Sequence, residues 1–521
     1  MRLILLFLFL LSMTNSWSQS YSQRLKVISI EENQLTFDVP ENSIITYYEQ
    51  GIGRLESIQG KVMTGLKPAT FYTVSIGFTK DGQHFYTAPE IVSTKSKSSG
   101  DITVYFNQTV NNSASSIADA IQITDFEDTI ISYINKATLT LDIANYNTGS
   151  INIVNAINSQ AASGVIIRYI AADNTGTNNG ELSNLSGTIP MIQRPNDGEV
   201  MHNKFILVDA SDVNKATVLT GSTNHTNNSM HNDYNNLVIV EDQALVLAYE
   251  LEFEEMWGSS TNLPDPVNAK FGVAKTDNTP HNFNIGGVPV ELYFSPSDGT
   301  TAKIVTALGS AQTDICFALL TYTNNDLGDA VVDAHNAGVN CRGLINNTPY
   351  FGSEYNALLS AGVEVYDHFT EPYFLHHKYA IVDATDLGSD PLVITGSHNW
   401  SNSAEDDYDE NTLIIHDATI ANMYLEEFEE RVNYFTGTGI TTVDLDGTVF
   451  PNPFIDQIEI SLPGIVSYTL MDELGRTVLS RQEMHGTSRI NVSSVVSGTY
   501  LLKLETESGT VIRKMIKATA D

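Results

Sequence analysis

Two short stretches of the sequence place a histidine and a lysine two residues apart and then turn into an apolar run. They read MHNKFILVD and LHHKYAIVD. Because side chains alternate along a strand, His202 and Lys204 should share one face, and so should His376 and Lys378. Each stretch therefore presents a group that can attack or transfer a proton beside a fixed positive charge.

A G-S-x-N pattern follows each of these stretches, within VLTGSTNHTNNS and VITGSHNWSNSA. Ser222 and Asn224 in the first, and Ser397 and Asn399 in the second, carry hydroxyl and amide donors that suit phosphate oxygens. A phosphodiester is an anion, so its cleavage needs a neutral nucleophile, fixed positive charge and an acid for the leaving group. Two histidines on opposite sides of phosphorus, with two lysines, would supply this chemistry without a metal or another cofactor.

The two sets of motifs belong to an internal duplication. The segments ASGVIIRYIAAD and NAGVNCRGLINN match at an offset of 174 residues, as do the two histidine stretches. The G-S-x-N segments match at an offset of 175, as do YELEFEEMW and YLEEFEERV. Each copy reads helix, strand, helix, strand, which is typical of an α/β domain.

The doubled pattern, H-x-K-x4-D and then G-S-x-N, resembles the phospholipase D superfamily over residues of about 100–436. The resemblance implies two tandem α/β/α domains, 101–260 and 286–436, in a pseudo-twofold arrangement with one shared active centre. The motif also includes Asp209 and Asp383. Each lies seven residues after its histidine, so alternation turns it to the opposite face, and we expect its role to be structural more than catalytic.

In this superfamily, the acceptor that orients each histidine often lies thirteen residues after the serine of G-S-x-N. That position is Asn235 in the first copy and Glu410 in the second. A carboxylate stabilises imidazolium and raises the pKa of its partner, whereas an amide oxygen orients the ring without adding charge. With each acceptor serving its own copy, we expect His202 to be the nucleophile that forms a phosphohistidine and His376 to be the general acid.

Three further residues invite a role in binding and are assigned none. Arg168 and Arg342 match at the offset of 174, but arginines in the middle of a strand usually pair with structural carboxylates. His377 lies beside His376, and alternation turns it away from Lys378. No H-E-x-x-H, C-x-x-C or calcium-loop pattern is present, so we expect no metal site.

The sequence on either side of the duplication reads as β-sandwich. Residues 19–97 alternate apolar and polar side chains, and GLKPATFYTVSI resembles the corner of a fibronectin type III domain. Residues 444–521 contain PNPF, a D-x-x-G-R turn and SGTY, and resemble the C-terminal sorting domain of the type IX secretion system. Residues 1–18 fit a secretory signal peptide. We expect a protein that is secreted or held at the cell surface and that meets the type IX machinery.

The net charge and the number of cysteines bear on the substrate and on the redox state of the protein. Lys and Arg total 27 against 62 Asp and Glu, a net charge of −35, which disfavours broad wrapping of nucleic acid. The two cysteines, Cys316 and Cys341, fall in predicted strands. A disulfide between neighbouring strands and two buried thiols both fit this placement.

These features predict a secreted, metal-independent phosphodiesterase, a phospholipase D that acts on glycerophospholipid head groups. Water or another alcohol would resolve the covalent intermediate. We expect a monomer that contacts a membrane surface transiently. Two alternatives stay open: an extracellular nuclease of the same superfamily, with nucleic acid as substrate, and an inactive module that binds surfaces through its N-terminal sandwich.

Overall fold

The computed structural model describes residues 19–20, 25–80, 82–172, 179–436, 448–461, 465–472, 477–482, 488–506 and 509–518. The predicted signal peptide, residues 1–18, lies outside the described residues, as does most of the D-x-x-G-R turn. The chain divides into two compact units, one up to Glu427 and one from Phe428 onward. None of the described helices is long and apolar enough to cross a membrane.

The first unit begins with a two-layer β-sandwich. Its strands are β1 (Gln19–Ser20), β2 (Val27–Ile30), β3 (Gln34–Phe37), β4 (Ile44–Glu49), β5 (Glu56–Gln59), β6 (Val62–Thr64), β7 (Phe71–Lys80), β8 (Gln83–Tyr86) and β9 (Glu90–Ser93). One sheet has the order β1-β8-β7-β4-β5, with β9 also on β7, and the other has the order β2-β3-β6.

A tyrosine fixes the corner of this sandwich. The backbone N–H of Lys67 donates to the hydroxyl of Tyr72 over 3.0 Å, which is the tyrosine corner found in Greek-key sandwiches. Inward side chains such as Leu35 and Phe37 are fully buried between the sheets. The predicted β-rich N-terminal region is confirmed, while its assignment to the fibronectin type III family stays a prediction.

The duplicated part forms two halves of the same kind. The first half contains β10 (Asp101–Phe106), β11 (Ile121–Gln122), α1 (Phe126–Ile134), β12 (Thr140–Asn145), α2 (Ile151–Ala162), β13 (Ile166–Ala171), β14 (Met191–Gln193), β15 (Lys204–Val208), β16 (Thr217–Gly221), α3 (Asn227–His231), β17 (Asn236–Glu241) and α4 (Gln243–Trp257). The second half contains β18 (Asn282–Ile285), β19 (Val288–Ser295), α5 (Thr300–Leu308), β20 (Asp314–Leu319), α6 (Asn325–Asn336), β21 (Asn340–Ile345), α7 (Tyr355–Ala361), β22 (Glu364–Asp367), β23 (Lys378–Val382), β24 (Leu392–Gly396), α8 (Asn402–Asp406), β25 (Glu410–Ile415) and α9 (Ala418–Thr436).

Each half is built on an eight-stranded mixed sheet. The strand order is β11-β10-β17-β16-β15-β12-β13-β14 in the first half and β18-β19-β25-β24-β23-β20-β21-β22 in the second. Leu141 pairs with Val208, and Ile315 pairs with Val382, so the register repeats at the offset read from the sequence. The edge strands differ, because β11 is parallel to β10 whereas β18 is antiparallel to β19. The prediction of two tandem α/β domains is confirmed.

Both faces of each sheet are covered, which explains the continuous apolar runs after each H-x-K. Ile206 of β15 joins a buried cluster that includes Phe126 of α1. Phe205, on the other face, packs edge-on against Tyr249 of α4 with the ring centroids 5.1 Å apart. Burying a side chain of this size stabilises the fold by roughly 1.5–3 kcal/mol.

The cysteines lie on neighbouring strands but form no disulfide. Cys341 of β21 is paired with Ile315, and Cys316 of β20 is paired with Arg342, so the two sulfurs point to opposite faces. Both thiols are buried, and burial raises the pKa of Cys341 to about 12. Of the two alternatives, buried thiols are what the structure has.

The second unit is a β-sandwich. Its strands are β26 (Thr448–Phe450), β27 (Gln457–Ser461), β28 (Ile465–Asp472), β29 (Thr477–Gln482), β30 (Ser488–Asn491), β31 (Gly498–Thr506) and β32 (Gly509–Lys517). Sheets β26-β27-β30 and β29-β28-β31-β32 enclose one apolar cluster. Phe454 of the PNPF motif and Tyr500 of the SGTY motif are both buried in this cluster.

Candidate active site

The two histidine stretches meet where the halves touch. The backbone N–H of His202 donates to the carbonyl of Asp409 over 2.9 Å, and that of His376 donates to the carbonyl of Tyr234 over 3.0 Å. These reciprocal bonds belong to two short parallel bridges between the halves. Each histidine is thus held at the start of its own strand by the backbone of the other half.

The acceptors that orient the imidazoles are also exchanged between the halves. Nδ1 of His202 lies 2.7 Å from Oε2 of Glu410, and Nδ1 of His376 lies 2.8 Å from Oδ1 of Asn235. Sequence reasoning expected each acceptor to serve its own copy, and this pairing is wrong. The cause is geometric: the bridges between halves bring the start of each histidine strand beside the start of β17 or β25 of the opposite half.

Hydrogen bonding settles which ring nitrogen of His376 carries a proton. Nδ2 of Asn235 donates to the carbonyl of Ser229 over 2.8 Å, and its Oδ1 accepts the hydroxyl of Ser222 over 2.8 Å. Oδ1 therefore faces His376 and can only accept, so Nδ1 of His376 donates. The carboxylate of Glu410 requires the same of His202. In both rings Nε2 is left for chemistry.

The G-S-x-N residues divide into positioning and unpaired groups. The hydroxyl of Ser222 donates to Oδ1 of Asn235 and so positions the acceptor of His376, while its donation to a phosphate stays a prediction. Ser397 accepts the N–H of Asn411 over 3.0 Å, and its phosphate contact stays a prediction. The Oδ1 atoms of Asn224 and Asn399 are buried without a hydrogen-bond partner, which leaves these amides available to a ligand.

The glycine of G-S-x-N is required by a close approach of the backbone. Gly221 has φ +131°, and a Cβ there would lie 2.6 Å from the carbonyl oxygen of Asn236. Gly396 has φ +142°, and a Cβ would lie 2.3 Å from the carbonyl oxygen of Asn411. Any other residue would push β16 or β24 away from the strand that carries the histidine acceptor.

The lysines lie close to the histidines and are buried with them. Nζ of Lys204 donates to the carbonyl of His202 over 2.7 Å, and Nζ of Lys378 donates to the carbonyl of His376 over 2.9 Å. Tyr146 forms one wall: its ring meets His202 edge-on at 4.7 Å, and Nζ of Lys204 is 5.2 Å from its centroid. Sequence reasoning missed Tyr146, whose position in the chain carries no motif.

Burial shifts the pKa values of the histidines and lysines of the site. Burial lowers the pKa of His202 to about 4, even though Glu410 acts against the shift. Burial, followed by the charges of Lys378, Lys204 and His202, holds the pKa of His376 well below its usual value. Burial also lowers the pKa of Lys378 to about 7, and that of Lys204 well below its usual value. Burial is the largest cause of each of these shifts, because it disfavours the charged form of a histidine or a lysine.

Glu410 is the exception, since it stays ionised. Burial alone would raise its pKa, but the adjacent His202 and Lys204 hold the pKa below its usual value. The His202–Glu410 pair is therefore a neutral imidazole that donates to a carboxylate. His376 has no such charge beside it.

A second layer of asparagines joins the halves behind the histidines. Nδ2 of Asn411 donates to Oδ1 of Asn203 over 2.9 Å. At the equivalent place, Nδ2 of Asn236 lies 3.2 Å from Nδ1 of His377, whose Nε2 lies 3.2 Å from Glu427. His377 thus faces away from the site, as alternation predicted. Asn236 and Asn411 match at the offset of 175 and could have been found from the duplication.

The motif aspartates hold loops at the far end of the strands. Asp209 accepts the backbone N–H groups of Thr138, Leu139 and Thr140 over 2.7–3.0 Å. Asp383 accepts those of residues 312–314 over 2.8–3.1 Å. Burial acts to raise the pKa of each carboxyl, but these hydrogen bonds lower it. The structural interpretation of both aspartates is confirmed.

Arg168 is likewise structural, as predicted. It makes two hydrogen bonds to Asp142, of 2.6 and 2.7 Å, and lies near Glu250 and Glu254. Sequence reasoning missed a buried ionic group next to Glu410. In it, Asp409 pairs with Arg194 at 2.9 Å and with Lys275 at 3.3 Å.

Within the described residues, one group of side chains has the geometry to bind a metal ion: Asp277, His281 and Asp298. Its atoms are already engaged. Nδ1 of His281 lies 2.9 Å from the carbonyl of Leu292, and Nε2 lies 3.0 Å from Asp277. Asp298 accepts the N–H of Phe294 over 2.7 Å. Asp277 and His281 precede β18 and Asp298 follows β19, so we assign this group to the packing of the segments around these two strands and not to catalysis.

Comparison with known families places these halves. A family model described as cardiolipin synthase, PLD-like domain, matches residues 130–257 and again 304–432. A second, described as secretion system C-terminal sorting domain, matches residues 448–518.

Individual proteins match parts of the chain. The mitochondrial cardiolipin hydrolase of Homo sapiens is 33% identical over 147 residues, which are 28% of this chain and 55% of that protein. Its counterpart in Mus musculus is 34% identical over 155 residues, 29% of this chain and 66% of that protein. The chain thus spans between half and two thirds of the length of these curated relatives.

Solved structures also align. Nuc from Salmonella typhimurium, a phospholipase D family member, is 27% identical and covers 28% of this chain and 93% of its own, with a TM-score of 0.24. Phosphatidylserine synthase from Haemophilus influenzae is 11% identical and covers 64% and 86%, with a TM-score of 0.42. From the family matches and the doubled motifs, the chain carries two tandem domains of the phospholipase D-like family, followed by a secretion sorting domain.

Proposed function

We propose that this protein is an exported phosphodiesterase that hydrolyses the head groups of glycerophospholipids through a covalent phosphohistidine. The observation that carries the proposal is the pair of buried histidines, each with Nδ1 engaged by an acceptor from the opposite half. That arrangement leaves both Nε2 atoms for one substrate between the halves. The curated relatives named as cardiolipin hydrolases support a phospholipid substrate.

The substrate phosphate would bring negative charge to the two buried lysines. Lys204 and Lys378 have lowered pKa values because they are buried together, and a phosphodiester anion between them would restore their protonated forms. The amides of Asn224 and Asn399, whose Oδ1 atoms lack partners, would turn their Nδ2 donors to the phosphate oxygens. The same anion would raise the pKa of His376 and so load it with the proton that the reaction needs.

We assign the attack to His202, on a reason that differs from the sequence-based one. Its neutral Nε2 attacks phosphorus, and the ring becomes positively charged as the N–P bond forms. Glu410 stabilises that charge through Nδ1. His376 faces only an amide, so its imidazolium releases a proton readily. That proton passes from Nε2 to the leaving oxygen as the P–O bond breaks.

The second step reverses these roles. Water attacks phosphorus and gives a proton to Nε2 of His376, and the P–N bond breaks to return His202 to its neutral form. An alcohol in place of water would give transfer of the phosphatidyl group. No step in this scheme uses a metal ion.

The sorting domain supports a site of action outside the producing cell. Its match at residues 448–518 supports export by the type IX system to the cell surface or the medium. With the signal peptide predicted from the sequence, this would place the enzyme outside the cell that makes it.

The test is a parallel assay on phosphatidylcholine vesicles and on plasmid DNA, each with EDTA. We expect release of the lipid head group, loss of that release in His202→Asn, and normal release in His84→Asn, which changes a histidine of the N-terminal sandwich. Cleavage of DNA without lipid turnover would favour a nuclease. Lack of turnover on lipid, DNA and bis-p-nitrophenyl phosphate would favour a binding module.

A further inference from the structure

Five large aromatic side chains are exposed within one short part of the second half. Phe351 is fully exposed, and the other four are 45–55% exposed. We call this set the aromatic rim: Tyr350, Phe351, Phe369, Tyr373 and Phe374. Single exposed apolar side chains are ordinary, but a group of this kind marks an interaction surface.

The rim is one surface, although two loops supply it. β21 and β22 are parallel and in register, so the loops that follow them leave the same edge of the sheet. Oδ1 of Asp367 accepts both the hydroxyl of Thr348 over 2.8 Å and the N–H of Phe369 over 2.9 Å. Oδ1 of Asn346 accepts the N–H of Leu375 over 2.9 Å. Each loop is therefore tied to the other.

The rim adjoins the candidate active site. Phe374 precedes His376 by two residues. Its N–H donates to Asp233 over 3.1 Å, and its carbonyl accepts the N–H of Tyr234 over 2.8 Å. Asn235, the acceptor of His376, follows directly. Whatever covers the rim lies at the approach to the reacting histidine.

Charge indicates what the rim contacts. No lysine or arginine occurs between Arg342 and Lys378, while Glu354, Glu364, Asp367 and Glu371 do. Aromatic rings that stack nucleic acid bases work together with basic residues that track the phosphates, and the segment that carries the rim has no lysine or arginine. A second copy of the chain would bring the same acidic charge. A bilayer of zwitterionic lipid has no net charge, and aromatic rings insert favourably at its head-group level.

We propose that the aromatic rim docks the second half on the interface of a zwitterionic phospholipid bilayer. This proposal rests on the proposed function, because docking on a bilayer serves the hydrolysis of its lipids. In the matching segment of the first half, among the described residues 179–203, Met191 is the one exposed large apolar side chain. Docking would therefore use the second half alone. It would bring the edge of the sheet that carries the rim, and His376 beside it, to the lipid.

Binding can be measured apart from catalysis. In a His202→Asn background, we expect sedimentation with phosphatidylcholine vesicles, and weaker sedimentation with phosphatidylglycerol vesicles because the chain carries −35. Phe351→Asp should weaken binding to phosphatidylcholine about tenfold, the effect of losing one inserted apolar side chain. Phe351→Trp, which keeps an aromatic ring at this position, should bind phosphatidylcholine vesicles as the parent protein does.

The matched control is Leu387→Asp. Leu387 is 68% exposed and follows β23 at the edge opposite His376, so its replacement should leave binding unchanged. Equal losses in Leu387→Asp and Phe351→Asp, or wild-type binding in Phe351→Asp, would refute the proposal. Self-association that Phe351→Asp abolishes would replace the lipid by a second copy.

Activity separates this proposal from the function on which it rests. With the catalytic histidine restored, Phe351→Asp should hydrolyse soluble bis-p-nitrophenyl phosphate as the wild type does and lose about tenfold on vesicles. If the wild type binds vesicles through the rim yet turns over no lipid, the proposed function fails and the docking surface stands. If the Phe351→Asp variant hydrolyses lipid in vesicles as fast as the wild type does, the docking surface fails and the function stands.

Discussion

The two halves share a frame and differ in the groups that act on the substrate. Strand order, register and the G-S-x-N turns repeat. So do the aspartate latches, which are Asp209 and Asp383 with the backbone N–H groups that they accept. The acceptors do not, because Glu410 is a carboxylate and Asn235 is an amide. The aromatic rim also occurs in the second half alone among the described residues. Under the proposed mechanism and docking, the duplication keeps its backbone while the roles of nucleophile, acid and docking surface are divided between its copies.

The exchange of acceptors makes the difference effective. Glu410 belongs to the second half and acts on His202 of the first, whereas Asn235 acts on His376. Neither half holds a histidine together with its own acceptor. The unequal chemistry therefore depends on the interface between the halves and not on either sheet.

The largest effect should come from removing either histidine. His202→Asn should lower lipid hydrolysis at least 10⁴-fold, and His376→Asn should do nearly the same, since nucleophile and acid act as a unit. On bis-p-nitrophenyl phosphate, His376→Asn should release one equivalent of nitrophenolate and stall, because this leaving group needs no proton. Mass spectrometry should find the phosphoryl group on His202. A label on His376 would reverse the assignment.

Next in size is the exchange of acceptors. Glu410→Gln should lower kcat about 10²–10⁴-fold with little change in KM, because the charge on the attacking ring is no longer stabilised. Asn235→Ala removes only an orienting amide and should cost about tenfold. In the double variant Asn235→Asp with Glu410→Gln, the covalent label should move toward His376. A label that stays on His202 would show that something other than the acceptor sets the roles.

The aspartate latches should respond equally in the two halves. Asp209→Asn and Asp383→Asn should each lower the free energy of unfolding by about 2–3 kcal/mol, from the loss of charged hydrogen bonds to several N–H groups. Because the folded pKa of each is lowered, the wild-type advantage is complete above the unfolded pKa of about 3.9. It should vanish as pH falls through the folded value. Denaturant titration at neutral and acid pH measures this, and an unequal cost would break the equivalence.

The smallest effect concerns anion affinity. Lys378 has a pKa lowered to about 7, and inorganic phosphate binds its protonated form. A group with a pKa of about 7 is about half protonated at pH 7 and about one tenth protonated at pH 8, so affinity should fall about fivefold over this range. Calorimetry in buffers of different ionisation enthalpy should detect proton uptake at pH 8, and uptake should decrease in Lys378→Met. Affinity that is independent of pH would mean that both lysines stay charged without ligand.

The frame could be predicted from the sequence because it is local and repeated. The offset of 174 fixed the equivalence of β15 and β23, and strand parity separated Asp209 from His202. The partner of His202 could not be predicted, since Glu410 lies 208 residues away and a distance in sequence does not say which of two similar sites an acceptor reaches. Tyr146 and the Asp409 cluster were missed for the same reason. Tyr146, and the partners of Asp409, come from loops without a repeated pattern.

The reciprocal bridges have a consequence for the producing cell. His202 waits for a carboxylate that is synthesised 208 residues later, and its amide waits for the carbonyl of Asp409. A partly made chain therefore holds an incomplete site, whatever its first sheet has achieved. Under the proposed function, lipid cleavage cannot begin until translation has passed Glu410, so a chain that has folded only its first sheet would leave the membranes of the producing cell intact.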